Sequence, residues 1–277
     1  MRGSAPDGAA SAGGRDAGRR SDAGTDATPC VDLLLPMRTL VIVPAYNEEQ
    51  ALPETLAELR SHQPDLDVVV VSDGSVDRTA DVARAAGATV LELPFNLGIG
   101  GALRTGFLYA VRGDYDAAVQ FDADGQHDPA HIKALTDALE GGADMVIGSR
   151  FAETSAHYDV GGTRRGAMRV LQILVRILAG QRYSDTSSGF RGFNRDVLAY
   201  FARNYPSEYM ESVESLVLAT FAGFDVIEVP VDMRQRAGGT PSSRRLKLAY
   251  HYLRLMLVLG SAASHRRRSP ALGGADA

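Results

Sequence analysis

Asp122 and Asp124 stand two apart, directly after the apolar run Ala117–Phe121. Pro129 follows closely and opens a helix. Two carboxylates at a strand end offer hard oxygen ligands. Mg²⁺ and Mn²⁺ bind such groups together with phosphate oxygens and water. Gln126 can add an oxygen ligand or a water contact nearby. His127 reads as part of the helix start rather than as a ligand. An acidic turn in water has the same spacing, so the other polar segments decide what the pair is for.

Asp73 follows the run Val68–Val71. Its carboxylate could accept hydrogen bonds from a base N–H or from ribose hydroxyls, or it could simply shape the turn before Gly74. The segment Asn96–Arg104 is Gly-rich and leads into a helix. Its N–H groups could meet phosphate, or its glycines could let the helix pack tightly on the sheet. No Lys follows, so it is not a P-loop. Arg150, Arg191, Arg234 and Arg236 could neutralise a diphosphate or an anionic acceptor through fork-like hydrogen bonds. Arg150 and Arg236 each sit just past a predicted strand. Glu211 and Glu214 are three apart, so on a helix they share a face. One could be a general base, or the face could be solvated.

These groups need a frame, and the apolar pattern supplies it. Short continuous runs at Leu40–Val43, Val68–Val71, Thr89–Leu93, Ala117–Phe121 and Met145–Ile147 predict strands. Helical patterns separate them at Glu48–Arg60, Asp77–Ala86, Gly100–Val111 and Pro129–Leu139. Strands of this kind alternating with helices imply an α/β fold with a mostly parallel sheet covered on both faces. Ligands of such sheets bind beyond the carboxyl ends of the strands. Pro44–Glu48, Ser72–Ser75 and Asp122–Asp124 should therefore face one crevice. Further on, Thr163–Ala179, Ser207–Ala222 and Arg244–Leu259 read as helices and Val226–Val231 as a strand. A short strand follows the polar loop Tyr183–Arg191.

The chain has 277 residues, 45% of them hydrophobic, and a formal net charge of -5, which gives no argument for nucleic acid. Cys30 is the one cysteine, which rules out an internal disulfide and favours a reducing, cytoplasmic setting. Residues 1–36 hold almost no large apolar side chains before Val31 and are expected to be a disordered tail. Residues 263–277 are expected to be a second one. The helix over 244–262 is apolar but interrupted by Lys247, His251 and Arg254. It predicts contact with an anionic membrane surface, or basic side chains snorkelling from a packed helix, rather than a span.

Taken in order, several segments make a pattern. They are Val43-Pro44-Ala45-Tyr46-Asn47-Glu48, Asp73-Gly74-Ser75-x-Asp77-x-Thr79, Asn96-Leu97-Gly98-x-Gly100-Gly101-Ala102, Asp122–Pro129 and Ser188-Gly189-Phe190-Arg191. Together they resemble the family 2 nucleotide-sugar glycosyltransferases, which have a GT-A fold. Dolichol- and polyprenyl-phosphate sugar transferases are the most similar branch. The resemblance implies a domain over 37–243. It places Pro44, Tyr46, Glu48, Val71 and Asp73 around a nucleoside. It has Asp122, Ala123 and Asp124 at the nucleotide diphosphate, with Asp122, Asp124 and Gln126 holding Mg²⁺ or Mn²⁺. It sets Arg150 and Arg236 at phosphate groups.

The resemblance also implies a UDP- or GDP-sugar donor and a polyprenyl-phosphate or glycan acceptor. It adds a separately encoded small membrane protein as a partner and a peripheral place at the inner face of the plasma membrane. Asp124 would then be catalytic, with Glu211 or Glu214 needed for a hydroxyl acceptor. The branch's usual Lys in the basic loop is replaced by Ser242 here. A nucleotidyltransferase is disfavoured because Pro44–Glu48 occupies the place of its basic Gly-rich loop. A non-catalytic nucleotide-sugar-binding protein is disfavoured because both carboxylates are present.

Overall fold

The computed structural model describes residues 37–151, 175–176, 180–206 and 211–234. The tails, most of the predicted helix from Thr163, the C-terminal helix and Arg236 lie outside the described residues.

The elements follow the predicted alternation. They are β1 (Thr39–Ala45), α1 (Leu52–His62), β2 (Asp67–Ser72), α2 (Thr79–Ala85), β3 (Thr89–Glu92), α3 (Ile99–Arg112) and β4 (Ala117–Gln120). A single 3₁₀ turn, Pro129–His131, leads into α4 (Ile132–Glu140) and β5 (Met145–Ser149). Next come β6 (Arg191–Asn194), α5 (Arg195–Asn204), α6 (Glu211–Ala222) and β7 (Val226–Pro230). Helix α1 begins later than expected because Glu48–Ala51 serve a loop and one turn. The helix α5 after β6 has no counterpart in the predicted pattern. Its start is set by Asn194, whose side chain accepts a hydrogen bond from the Val197 N–H.

The strands form a seven-stranded sheet in the order β3-β2-β1-β4-β6-β5-β7. All neighbours run parallel except β6, which is antiparallel to both β4 and β5. The connection from β4 to β5 therefore skips one position, and the chain returns to fill it with β6. Residues alternate between two cores, as the two-residue period of a strand requires. Leu40, Ile42, Val69 and Val71 face Phe107 of α3 and Phe201 of α5. Val41, Val43, Val68 and Val70 face Leu52, Leu56 and Leu59 of α1.

The first core is held by aromatic contacts. Phe107 meets Phe193 and Tyr205 edge-on, each with ring centroids 5.0 Å apart. Helix α3 lies close to β1 because Gly106 has no side chain. A Cβ there would come within 2.4 Å of Ile42 Cγ2. Arg104 adds a bond from Nε to the Ala202 carbonyl at 3.1 Å, tying α3 to α5.

Candidate active site

The loops after β1 and β2 brace each other at the carboxyl edge of the sheet. Asn47 adopts φ 55° and accepts the Val76 N–H at Oδ1. The Glu48 N–H donates to Thr79 Oγ1 at 2.8 Å, and the Glu49 N–H to Asp77 Oδ2 at 3.1 Å. Burial pushes the Asp77 carboxyl up, but hydrogen bonds from Thr79 and Glu49 outweigh this and leave it below its ordinary value. Tyr46 is about half exposed at this edge. Pro44 and Val71 pair in register and both are buried. The Val71 side chain packs in the core with Ile42 and Val69.

Asp73 has a partner inside the protein. Its Oδ1 accepts the Leu97 N–H at 2.7 Å, and the Gly98 N–H goes to Asn96 Oδ1 at 3.1 Å. The carboxylate thus organises the start of the Gly-rich segment. Burial holds the Asp73 carboxyl above its ordinary value despite the Leu97 bond. Gly74, at φ 65°, lets the turn pass the neighbouring chain; a Cβ there would sit 2.5 Å from Asn96 N. Gly101 is similarly tight against Leu97. These close approaches give the glycines of this segment a packing role.

Asp122 and Asp124 follow β4 as expected. Asp124 is nearly buried and its Oδ1 accepts the Gln126 N–H at 3.1 Å. Asp122 is more open, with 28% of its side chain exposed. Thr55 of α1 donates to the Ala123 carbonyl at 3.0 Å, fixing the residue between them. His127 stands at the helix entry, directly before the cap residue Asp128. It is fully enclosed, stacked on Phe190 with centroids 4.7 Å apart and edge-on to Phe121 at 5.5 Å. Its Nδ1 accepts the Asp122 N–H at 3.0 Å, which leaves the proton on Nε2, 3.5 Å from Asp122 Oδ2. Burial keeps this imidazole neutral below its usual titration range, against the pull of Asp122 and Asp124. The Arg150 charge acts with burial to lower its pKa.

The Ser188–Arg191 segment completes the wall. Gly189 lies flat against Asp122; a Cβ there would be 3.1 Å from Oδ2 and 3.0 Å from Gln120 Nε2. Arg191 does not face the crevice. It is completely buried and donates to the Ser188 and Thr186 carbonyls and to Ser215 Oγ of α6. Arg234 is also committed elsewhere, to Glu58 at 2.6 Å and Asp128 at 2.9 Å. Its N–H bonds the Gln126 carbonyl, and His127 bridges Met233, so the segment after β7 is stapled to the acidic loop. Arg150 grips Asp185 with two hydrogen bonds.

Glu214 is half-buried on α6 beside Ser215, and the Glu211 side chain lies outside the described residues. The roles of His127, Phe190, Asp185 and Gly189 were missed in the sequence. The one available signal was a glycine before an aromatic residue in a polar loop.

Among the described residues, no three His, Cys, Asp or Glu side chains converge as a metal cage. The chain offers two carboxylates on one short turn, with Gln126 beside them. Such a set fits an ion that completes its shell with diphosphate and water, as Mg²⁺ does.

The model of the family described as "Glycosyl transferase family 2" matches residues 40–201. The chain belongs to glycosyl transferase family 2. A polyprenol monophosphomannose synthase of Mycolicibacterium smegmatis is 31% identical over 210 residues, 73% of this chain and 79% of that protein. An undecaprenyl-phosphate mannosyltransferase of Micrococcus luteus is 33% identical over 214 residues, 73% of this chain and 86% of that protein. In fold, this family 2 chain is similar to glucosyl-3-phosphoglycerate synthase from Mycobacterium tuberculosis, solved with Mn²⁺, UDP and phosphoglyceric acid. The TM-score is 0.65 at 20% identity, over 86% of this chain and 81% of that one. These neighbours are GT-A glycosyltransferases.

Proposed function

We propose that this family 2 protein transfers a sugar, with inversion, from a UDP- or GDP-sugar to a polyprenyl phosphate. The observation that carries the reading is the Asp122–Asp124 pair at the carboxyl end of β4, walled by Gly189 and backed by buried His127. Two relatives above 30% identity whose names specify a polyprenol or undecaprenyl phosphate support the acceptor class.

Asp122 and Asp124, with Gln126, would hold Mg²⁺ or Mn²⁺, which supplies charge stabilisation for the departing nucleoside diphosphate. The protein's own contribution is placement. Tyr46 and the Glu48 loop line the nucleoside side. Arg150, and Arg236 beyond the described residues, carry positive charge to the phosphates. An acceptor phosphate oxygen attacks the anomeric carbon while the bond from that carbon to the diphosphate oxygen breaks. Both electron pairs are accounted for, and the incoming oxygen is already anionic. No protein base is required, and Glu211 and Glu214 then position groups only. A saccharide hydroxyl acceptor is the second reading; it requires one of those glutamates as base.

No helix among the described residues is long and apolar enough to cross a membrane. We assign membrane contact to the basic, apolar 244–262 segment and to a separate membrane protein, at the inner face of the plasma membrane. The test is donor turnover with Mn²⁺ or Mg²⁺ against a panel of UDP- and GDP-sugars, with and without polyprenyl phosphate. Product only with the lipid supports the reading. Transfer to saccharides that is lost in the Glu211→Ala, Glu214→Ala double variant would replace it with the hydroxyl-acceptor reading.

A further inference from the structure

Glu228 lies on β7, next to β5, and its carboxylate is filled by a neighbouring loop. Oε2 accepts the Ser184 N–H at 2.7 Å, and Oε1 accepts the Asp185 N–H at 2.8 Å and the Ser184 hydroxyl at 3.1 Å. Ser184 Oγ also meets Ser149 Oγ at 2.6 Å, at the end of β5. The backbone of Ser184 and Asp185 is therefore fixed to two adjacent strands.

Asp185 is completely buried, and its side chain grips Arg150 side-on. Arg150 Nε donates to Oδ2 at 2.6 Å, and Nη2 donates to Oδ1 at 2.8 Å. Nη2 also donates to Ser187 Oγ at 3.2 Å. Arg150 keeps 17% of its side chain exposed, so it stands between this buried carboxylate and solvent. The fork uses the Nε–Nη2 edge of a rigid planar group, which points the Nη1 edge away from Asp185. Arg150 directly follows the carboxyl end of β5, and Ser187, which it bonds, lies two residues before Gly189, the residue set against Asp122. The cation thus belongs to the acidic side of the crevice.

An arginine has many rotamers, and freezing them on binding costs affinity. A bidentate partner already fixed by the sheet removes that cost. We propose that Asp185 and Glu228 are positioning residues that hold the Arg150 guanidinium ready for the donor diphosphate. This rests on the reading of the crevice as a nucleotide-sugar site. The chain of contacts runs from β7 through the Ser184–Asp185 backbone to a cation beyond β5. Each link is a hydrogen bond within the folded domain.

The experiment is titration of UDP and of GDP, each with Mn²⁺, into the full-length protein, with thermal unfolding of every variant measured alongside. Arg150→Ala should weaken nucleotide binding about tenfold or more, the size of one charge-assisted fork. Asp185→Asn and Glu228→Gln should each weaken it. Either one combined with Arg150→Ala should bind no worse than Arg150→Ala alone. Ser187→Ala removes two bonds from an exposed residue, one from Arg150 and one to Asp185, and should unfold like the wild type while weakening binding by a smaller factor. If Asp185→Asn does not fold, Ser187→Ala and Glu228→Gln carry the comparison.

The inference is overturned if these variants lower the unfolding temperature but leave nucleotide binding unchanged, or if their losses add in full to that of Arg150→Ala. If wild-type protein binds neither nucleotide with Mn²⁺, the nucleotide-sugar reading falls, and this inference falls with it.

Discussion

His127 and Asp122 close on each other from both ends: the imidazole Nδ1 accepts the Asp122 N–H, and Nε2 lies 3.5 Å from the Asp122 carboxylate. Stacking on Phe190 fixes the ring plane, so the orientation of a candidate metal carboxylate is decided by a buried aromatic contact.

The first prediction follows from that pair. His127→Ala removes the acceptor and leaves a cavity between Phe121 and Phe190. Mn²⁺ affinity in the presence of nucleotide should fall roughly 10–100-fold, the usual effect of losing a group that orients a ligand. His127→Asn, whose side-chain oxygen can still accept the Asp122 N–H, should recover part of it. Equal losses in the two variants would show that the hydrogen bond is unimportant.

His127 also predicts a pH dependence. Burial depresses its folded-state pKa below the ordinary 6.5. A base with a depressed folded pKa contributes stability that is present above its unfolded pKa and lost as pH falls through the folded one. The protein should therefore begin to lose stability below about pH 6.5. Asp77, Asp128 and Asp185, all depressed below the ordinary 3.8, should add further losses only at more acidic pH. Unfolding midpoints from pH 8 to about pH 2 check this, and His127→Asn should flatten the upper part of the curve.

Asp73 should behave in the opposite way. Its folded pKa is raised, mainly by burial, so at pH 7 its charge opposes folding. Asp73→Asn keeps an oxygen for the Leu97 N–H and removes the charge. Its unfolding midpoint should exceed that of the wild type at pH 7, and the difference should shrink as pH falls through the raised pKa. A lower midpoint for the variant at pH 7 would contradict this account of the Gly-rich segment.

Gly189 is predicted to matter for activity more than for folding. Gly189→Ala would place a methyl group within 3.1 Å of Asp122 Oδ2 and 3.0 Å of Gln120 Nε2. Asp122 and Gln120 have to give by a few tenths of an ångström, so turnover should fall roughly tenfold, less than for displacement of a reacting group by about 1 Å. Asp124→Ala should abolish it. Near-normal turnover by Gly189→Ala would show that the carboxylate tolerates displacement.

Gly106 tests the core instead. Gly106→Ala presses on Ile42 Cγ2 and should cost about 1–3 kcal/mol, the range for overpacking. The double variant with Ile42→Ala removes the clashing atom, so it should be less destabilised than the sum of the two. Denaturant unfolding of the four proteins measures that coupling.

Much of this was legible along the chain. The four-valine run at Val68–Val71, the apolar run before Asp122 and the helical patterns between them specify strands and helices through local periodicity. The Asp122–Asp124 pair stood out because a strand end places its following residues in one crevice. Local pattern could not say where Arg150, Arg191 and Arg234 would point. All three look alike in sequence, yet one is clamped by Asp185, one is buried against Ser215 and one staples Glu58 to Asp128.

The sequence by itself determined the α/β alternation, the family and the acidic pair, because these depend on residue type and near-neighbour spacing. Tertiary structure alone decided that β6 enters between β4 and β5 in the antiparallel sense, bringing Gly189 and Phe190 against Asp122 and His127. Those partners lie more than sixty positions apart in the chain. What joins them is burial: Asp73, His127, Asp185 and Arg191 cannot be buried without partners, and only the folded sheet brings those partners within hydrogen-bond reach.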